Sequence, residues 1–160
     1  MRKRTNANVP AKGRLRDFAD RLWSIAIRDD WGYRCAVCGS PKCEAHHLVP
    51  RQHEGTRYDL HNGIALCARH HQFDKDISPH QNSAGWISWL IDNHHERFEW
   101  FMDNRRPAFI GKKTADYYIS VIRRLQQYVE PEEFVSIVGV KFAAWLEETR
   151  EEPDGKSENQ

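Results

Sequence analysis

Apolar residues recur every three or four positions in several parts of the chain, which predicts a mostly helical protein. The pattern begins over residues 14–28, where one side of an amphipathic helix carries four regularly spaced apolar residues. The same spacing predicts a helix over residues 84–104 and another after Thr114, whose hydroxyl can cap it. A last helix is predicted from Pro131, a residue suited to a first helical turn.

Residues 29–80 lack this periodicity and are dense in turn-forming residues, cysteine and histidine. All four cysteines lie between positions 35 and 67, and seven of the nine histidines lie between 46 and 80. We predict short extended pieces, a loop, and a short helix near residues 63–75. A secreted disulfide scaffold is a poor interpretation, because there is no signal peptide and the histidines accompany the cysteines. The clustering indicates metal binding.

Two short segments supply a complete set of zinc ligands. Cys35 and Cys38 form a C-x2-C knuckle, and Cys67 and His70 repeat the spacing as C-x2-H. Three thiolates and one imidazole make the closed tetrahedral set that is typical of structural zinc. Cys43 could replace one of the first two ligands, but we interpret it as a free thiol because a C-x4-C spacing makes a looser knuckle.

Two pairs of adjacent histidines, His46–His47 and His70–His71, accompany these segments. Neighbouring side chains point to opposite faces of a strand, and they lie about 100° apart around a helix. We therefore expect the members of each pair to serve different sites. An unperturbed imidazole has a pKa of about 6.5, so at neutral pH it is mostly an available base.

The segments RDDWGYRCAVCG, CEAHHLVPR and LHNGIALCARHH resemble the HNH endonucleases, the ββα-metal nucleases, and more narrowly their zinc-knuckle members from phages and prophages. The resemblance covers about residues 28–82. It implies a small zinc-stapled ββα-metal module. Together with the N-terminal helix and the C-terminal helical region that the apolar spacing predicts, the expected fold is α+β and mostly helical. We expect a disordered basic arm over residues 1–13 and the module with its leading helix over residues 14–82. A helical region of unknown role follows over residues 83–146, and a disordered acidic tail over residues 147–160.

The resemblance implies a role for each site residue. His47 falls at the general base, which takes a proton from the water that attacks a phosphodiester. His46 and His71 fall at ligands of a catalytic divalent metal: Mg²⁺, Mn²⁺ or another transition metal. Such an ion would stabilise charge on the leaving oxygen. Asn62 falls at the central asparagine that holds the loop and so aims the base.

The last metal ligand departs from the family pattern. The family usually has it four residues after the helix histidine, where this chain has Lys75, which cannot bind a metal while protonated. Asp74 lies three residues after His71 on the same helical face, and a carboxylate is a good ligand for Mg²⁺ or Mn²⁺. We therefore rank Asp74 first and His80 second.

Charge is distributed unevenly along the chain. Its formal net charge is +1, yet residues 1–58 hold 12 basic against 6 acidic residues. The basic half suits a polyanion, and Arg51 and Arg57 are candidate phosphate contacts in the segment that carries the site. No stretch approaches the roughly 20 apolar residues of a membrane span, so we expect no transmembrane segment. The resemblance to phage and prophage nucleases implies a cytoplasmic location in a bacterial cell. The C-terminal helical region would serve a homodimer or a phage protein partner.

The resemblance, together with these features, implies a metal-dependent endonuclease that hydrolyses DNA. The alternative is a non-catalytic, zinc-stapled DNA-binding module that has lost its second site. A zinc deaminase is a poor interpretation, because no His-x-Glu pair precedes the first knuckle.

Overall fold

The computed structural model describes residues 7–106 and 111–150. They contain six α-helices and one two-stranded sheet. In chain order they are α1 (Lys12–Asp30), β1 (Glu44–His47), β2 (Gly63–Leu66), α2 (Ser83–Asn93), α3 (His95–Asn104), α4 (Ala115–Leu125), α5 (Pro131–Val138) and α6 (Val140–Glu148). A π-helical turn spans Arg69–Phe73, and short 3-10 turns span Leu60–Asn62 and Gln126–Tyr128. The first six residues of the predicted arm and the tail from position 151 lie outside the described residues. Among the described helices, none has the length and apolar character needed to cross a membrane.

Helix α1 is the central element of the fold, as its apolar spacing predicts. Eight of its side chains are buried, and they face helices α4 and α5 on one side and the sheet on the other. Helix α4 packs along it and begins as predicted, because the Thr114 side chain accepts a hydrogen bond from the Tyr117 backbone N–H. Pro131 starts helix α5, also as predicted.

The sheet is an antiparallel pair that sits directly against helix α1. His46 lies opposite Ile64 and His47 lies opposite Gly63. Gly63 is buried, and a Cβ atom added there would collide with the Ile27 side chain of α1. Because glycine has no side chain at this position, the sheet can approach the helix closely.

The predicted short helix near residues 63–75 is wrong in its first half. Residues 63–66 form strand β2, and only Arg69–Phe73 is helical, as one π turn. A short run of apolar residues fits a buried strand and a buried helix equally well by periodicity alone. Pairing with β1 buries all four residues of this run and decides between the two.

Two long predicted helices are each divided into two. The helix over residues 84–104 breaks at His94, whose φ of −142° and ψ of 59° are not helical, and this separates α2 from α3. The last predicted helix breaks at Gly139, whose φ of 87° separates α5 from α6. Apolar spacing continues across both breaks, so periodicity does not reveal them.

Buried side chains form two hydrophobic clusters. Both include residues from each side of the predicted boundary between the module, which ends at residue 82, and the helical region, which begins at residue 83. The first joins α1 with α4, α5 and α6. The second joins the sheet and the cysteine segments with Trp86 and Leu90 of α2. Helices α2 and α3 therefore pack on the cysteine-rich segment, while the later helices pack on α1. The domain boundaries themselves remain a prediction.

The contact between Gly63 and Ile27 can be tested by substitution. We expect Gly63→Ala to lower the free energy of unfolding by about 1–3 kcal/mol, because the added methyl group overpacks the sheet against α1. Gly13→Ala, where an added Cβ meets no atom within 4 Å, is the matched control and should be neutral or slightly stabilising. Urea unfolding followed by circular dichroism measures both, and equal stabilities for the two variants would contradict the close approach.

Candidate active site and metal centres

The four predicted zinc ligands come together beside the sheet. The ligand atoms of Cys35, Cys38, Cys67 and His70 all lie within 4.8 Å of one another. The Cys38 and Cys67 sulfurs are 3.9 Å apart, and the His70 Nδ1 atom lies 3.2 Å from the Cys67 sulfur. A Zn–S bond of about 2.3 Å puts two thiolates of a tetrahedral site about 3.8 Å apart. The donor set and its spacing thus fit a structural zinc ion.

The surroundings of this cluster favour a bound cation. Burial alone would raise the pKa of the Cys35 thiol, but hydrogen bonds from the backbone of Cys67, Cys38 and Val37 outweigh it and lower that pKa to about 7. The thiolate, which is the form that binds metal, is therefore accessible near neutral pH. Cys43 is not among the clustered residues.

A second cluster contains three histidines: His46 from β1, His71 from the π turn, and His80 from the segment before α2. The His71 Nε2 atom lies 3.0 Å from the His46 Nδ1 atom and 3.2 Å from the His80 Nε2 atom. Imidazole nitrogens suit the transition metals better than Mg²⁺. Three protein ligands also leave coordination positions open, as catalytic sites require. The arrangement fits a catalytic transition-metal ion.

Neighbouring side chains orient these histidines. The Glu44 carboxylate accepts a hydrogen bond of 3.3 Å from His71 Nδ1, which leaves the lone pair of Nε2 facing the other two rings. A carboxylate behind a metal-binding histidine fixes its tautomer and raises its basicity. Trp86 packs edge-on against His46, with ring centroids 6.1 Å apart. Burial, together with the positive charge that His71 and His80 can carry, lowers the pKa of His46 to about 3. The ring is then neutral and able to bind an ion.

Asp74, the first-ranked last ligand, does not lie with these histidines, whereas the second-ranked His80 does. One of its oxygens accepts hydrogen bonds from the backbone N–H groups of Asp76 and Ile77, which lower its pKa. The other oxygen lies 3.3 Å from Arg69 and 3.8 Å from Nε2 of His70. The π turn ends at Phe73, so the assumption that Asp74 and His71 share a helical face does not hold. Asp74 lies beside His70 of the Cys₃His cluster, while His80 joins the second cluster.

His47 lies on the other face of strand β1, against helix α1. Its Nε2 atom donates a hydrogen bond of 3.0 Å to the Arg57 carbonyl, so the lone pair of the neutral ring is on Nδ1. Among residues 7–106 and 111–150, no hydrogen-bond partner of Nδ1 is found. The ring stacks on Trp23, with centroids 3.7 Å apart and planes 11° apart. Burial is the main cause that lowers the pKa of His47 to about 4, so the ring is a neutral proton acceptor at pH 7.

Asn62 is fully buried and ties the two ends of the loop between the strands. Its Oδ1 atom accepts a hydrogen bond of 2.6 Å from the Val49 backbone N–H. Its Nδ2 group donates to the carbonyl oxygens of Val49 and Thr56 at 3.0 and 2.9 Å. The side chain therefore uses its amide fully inside the protein and holds the loop whose Arg57 carbonyl receives the His47 hydrogen bond.

The two arginines predicted to contact phosphate differ in accessibility. Arg57 is only 8% exposed, and its guanidinium forms a bidentate ion pair with Asp20 at 2.8 and 2.6 Å. Burial opposes its charge, but the hydrogen bonds and ion pair with Asp20 outweigh this and raise the pKa of Arg57. Arg57 is thus committed to the fold and is withdrawn as a phosphate contact. Arg51 is exposed on the same loop and stays a candidate.

Several residues of this site carry no signal in the sequence. Trp23 and Asp20 lie on α1 more than thirty positions from Arg57 and appear only as members of an amphipathic helix. Glu44 stands beside the first histidine pair, but its orientation toward His71 depends on how β1 meets the π turn. In the sequence, Trp86 cannot be distinguished from an ordinary core residue of a helix. Their roles follow from tertiary contacts alone.

Comparison with known protein families identifies the central segment. Residues 35–75 match the family model described as HNH endonuclease. The matched segment contains the four residues of the Cys₃His cluster, both members of the His46–His47 pair and Asn62. Helix α1 precedes it and His80 follows it. Searches among curated proteins and solved structures gave no significant match. The family match confirms the resemblance and supports a nuclease function in general, whereas the phage or prophage type stays a prediction.

The Cys₃His cluster predicts a specific pattern of zinc loss. Cys67→Ala should lower the zinc content by one ion per chain and unfold the cysteine-rich segment. The reason is that structural zinc contributes on the order of 10–16 kcal/mol, as much as a small domain's whole stability. Cys43→Ser is the matched control and should keep the wild-type zinc content. Elemental analysis and thermal unfolding measure both, and a fully folded wild-type protein without zinc would disprove the site.

Proposed function

We propose that this protein is a metal-dependent endonuclease that hydrolyses phosphodiester bonds of DNA. The observation that carries the proposal is the division of the His46–His47 pair. One imidazole faces a three-histidine cluster, and the other is a neutral base with its Nδ1 atom unpaired among the described residues. The HNH endonuclease match over residues 35–75 supports the same reaction class and implies DNA as the substrate.

In this mechanism His47 is the general base. Its Nδ1 atom accepts a proton from water as the water oxygen attacks the phosphorus, and the bond from phosphorus to the leaving 3′ oxygen breaks. The Nε2 hydrogen bond to Arg57 keeps the proton-accepting nitrogen directed away from that carbonyl. Because Asn62 holds the loop that carries Arg57, we regard it as a positioning residue. Neutral imidazole at pH 7 needs no prior deprotonation to act as a base.

His46, His71 and His80 would hold the catalytic ion. A divalent transition metal bound there would act as a Lewis acid and stabilise negative charge that develops in the transition state. The contribution of Glu44 is to hold His71 in the tautomer whose Nε2 atom can bind the ion.

Arg51 is the candidate residue for binding the DNA backbone near the site. It is exposed, and it lies on the loop that also holds the His47 hydrogen-bond acceptor. Contacts to phosphate release counterions, so affinity for DNA should fall steeply with salt concentration. The excess of basic residues in the first 58 positions favours the same partner. A homodimer, a phage protein partner and a cytoplasmic location stay predictions.

The non-catalytic alternative requires the second site to be lost. A DNA-binding module stapled by zinc has no need for three converging imidazole nitrogens, nor for a neutral imidazole held by a single hydrogen bond. These two features favour the enzyme over the binding module.

His47→Ala and His46→Ala should fail in different ways. His47→Ala should slow cleavage of supercoiled plasmid by about 10²–10⁴-fold while Mn²⁺ or Ni²⁺ and DNA still bind, because a proton acceptor is lost but no metal ligand. His46→Ala should weaken metal binding as well, so that added metal restores part of the activity. Plasmid nicking with and without EDTA measures the rates, and calorimetric titration measures metal binding. Wild-type cleavage by His47→Ala would end the nuclease proposal.

The identity of the last ligand can be tested separately. His80→Ala should weaken Ni²⁺ binding and cleavage together, because His80 contributes the third imidazole of the second cluster. Asp74→Asn is the matched variant and should leave Ni²⁺ affinity at that cluster unchanged, since its carboxylate lies beside Arg69 and His70. Calorimetric titration of zinc-loaded protein distinguishes the two sites. The reverse pattern would restore Asp74 as the ligand.

A further inference from the structure

We propose that Trp23, on helix α1, is a positioning residue for the general base His47. The inference rests on the proposed function, and it adds to the site a residue outside the segment that matches the HNH endonuclease family. Among the described residues, the ring contact found for Trp23 is with His47, and its hydrogen bond is to Asp59. Its effect on the reaction would pass through His47.

The contact itself is a face-to-face stack. The indole and imidazole centroids are 3.7 Å apart, and the ring planes differ by only 11°. Trp23 is 2% exposed, and its Nε1 group donates a hydrogen bond of 3.1 Å to the Asp59 carbonyl. The indole is therefore held both by its helix and by the loop between the strands. It offers His47 a fixed flat surface.

The hydrogen-bond acceptor of His47 is also tied to helix α1. The Nε2 group donates to the Arg57 carbonyl, and the Arg57 guanidinium is clamped by both oxygens of Asp20, one helical turn before Trp23. Nε2–H limits rotation of the imidazole within its plane, and the indole limits tilting out of it. Together the two contacts fix the direction of the Nδ1 lone pair.

Fixing that direction should affect the chemical step and not binding. Proton transfer requires the base to be aligned with the attacking water, and misplacement by about 1 Å can cost on the order of 10²-fold in rate. DNA and metal contact other side chains in the proposed mechanism, so KM and metal affinity should change little. Asp20 is a poorer test residue than Trp23, because removing it would leave the buried Arg57 with Glu54 as its remaining carboxylate partner and destabilise the fold.

The test is a double-mutant cycle on the full-length, metal-loaded protein. Trp23→Met keeps much of the apolar volume but removes the flat surface, and we expect kcat to fall about 10–100-fold with KM nearly unchanged. In the His47→Ala background the same substitution should change the residual rate by less than about 2-fold, because the group that Trp23 positions is gone. Trp23→Phe, which restores a flat ring, should recover most of the loss.

Phe18→Leu is the matched control. Phe18 is also a buried aromatic residue of α1, but it stacks on Phe142 of α6. The Phe18→Leu substitution should lower the melting temperature without the decrease in kcat that is expected for Trp23→Met. If Trp23→Met does not fold, the cycle is run with Trp23→Phe, whose smaller loss must likewise vanish in the His47→Ala background.

A second readout does not depend on activity. The indole face shields the His47 ring protons, so their NMR resonances, identified by their absence in His47→Ala, should lie upfield in wild type. They should move downfield in Trp23→Met and stay in place in Phe18→Leu. An unshielded His47 in wild type, or equal losses in kcat in both backgrounds, would overturn the positioning role. Wild-type activity of His47→Ala would instead overturn the proposed function.

Discussion

The close approach of helix α1 to the two-stranded sheet is the constraint on which the rest of this structure depends. Gly63 leaves room for Ile27 at that contact, and four residues before Ile27 the same helix presents Trp23 to His47. The opposite side of α1 packs on α4 and the last two helices. One helix therefore joins the core of the C-terminal helices to the strand that carries the candidate base. A shift of α1 would alter both at once.

Two pairs of adjacent histidines show how a short segment can serve several sites. Strand β1 directs His46 toward the three-histidine cluster and His47 toward α1, because side chains alternate across a strand. The π turn directs His70 to the cysteines and His71 to His46. The Cys₃His cluster and the three-histidine cluster are thus connected through one peptide bond. A change in the geometry of the first cluster is therefore expected to disturb the second.

Burial affects the charge of the imidazoles and of the arginines in this region differently. Desolvation lowers the pKa values of His46 and His47 well below 7, so both rings are neutral and able to bind an ion or accept a proton. Arg57 keeps its charge under burial because Asp20 pairs with it, and it acts as a support for the loop. Exposed Arg51 is free of such a requirement. The same loop thus carries one structural and one accessible arginine.

Local patterns in the sequence were sufficient for the parts of the site that depend on spacing. The C-x2-C and C-x2-H knuckles identified the four residues that form the Cys₃His cluster, and the doubled histidines predicted separate destinations for their side chains. The hydroxyl of Thr114 and the ring of Pro131 marked helix starts through contacts within one turn. These features involve residues a few positions apart, so the backbone geometry of a single turn or strand determines them.

Other features were decided by the tertiary structure. Pairing with β1 made residues 63–66 a strand, since their apolar run fitted either element. Packing brought His80 to His71 and turned Asp74 toward His70, and it placed Arg57 against Asp20 and Trp23 against His47. The sequence by itself determined which residue types were available for zinc, base and second metal. Only the fold decided which of them meet, because those contacts join residues far apart in the chain and depend on the position of α1 against the sheet.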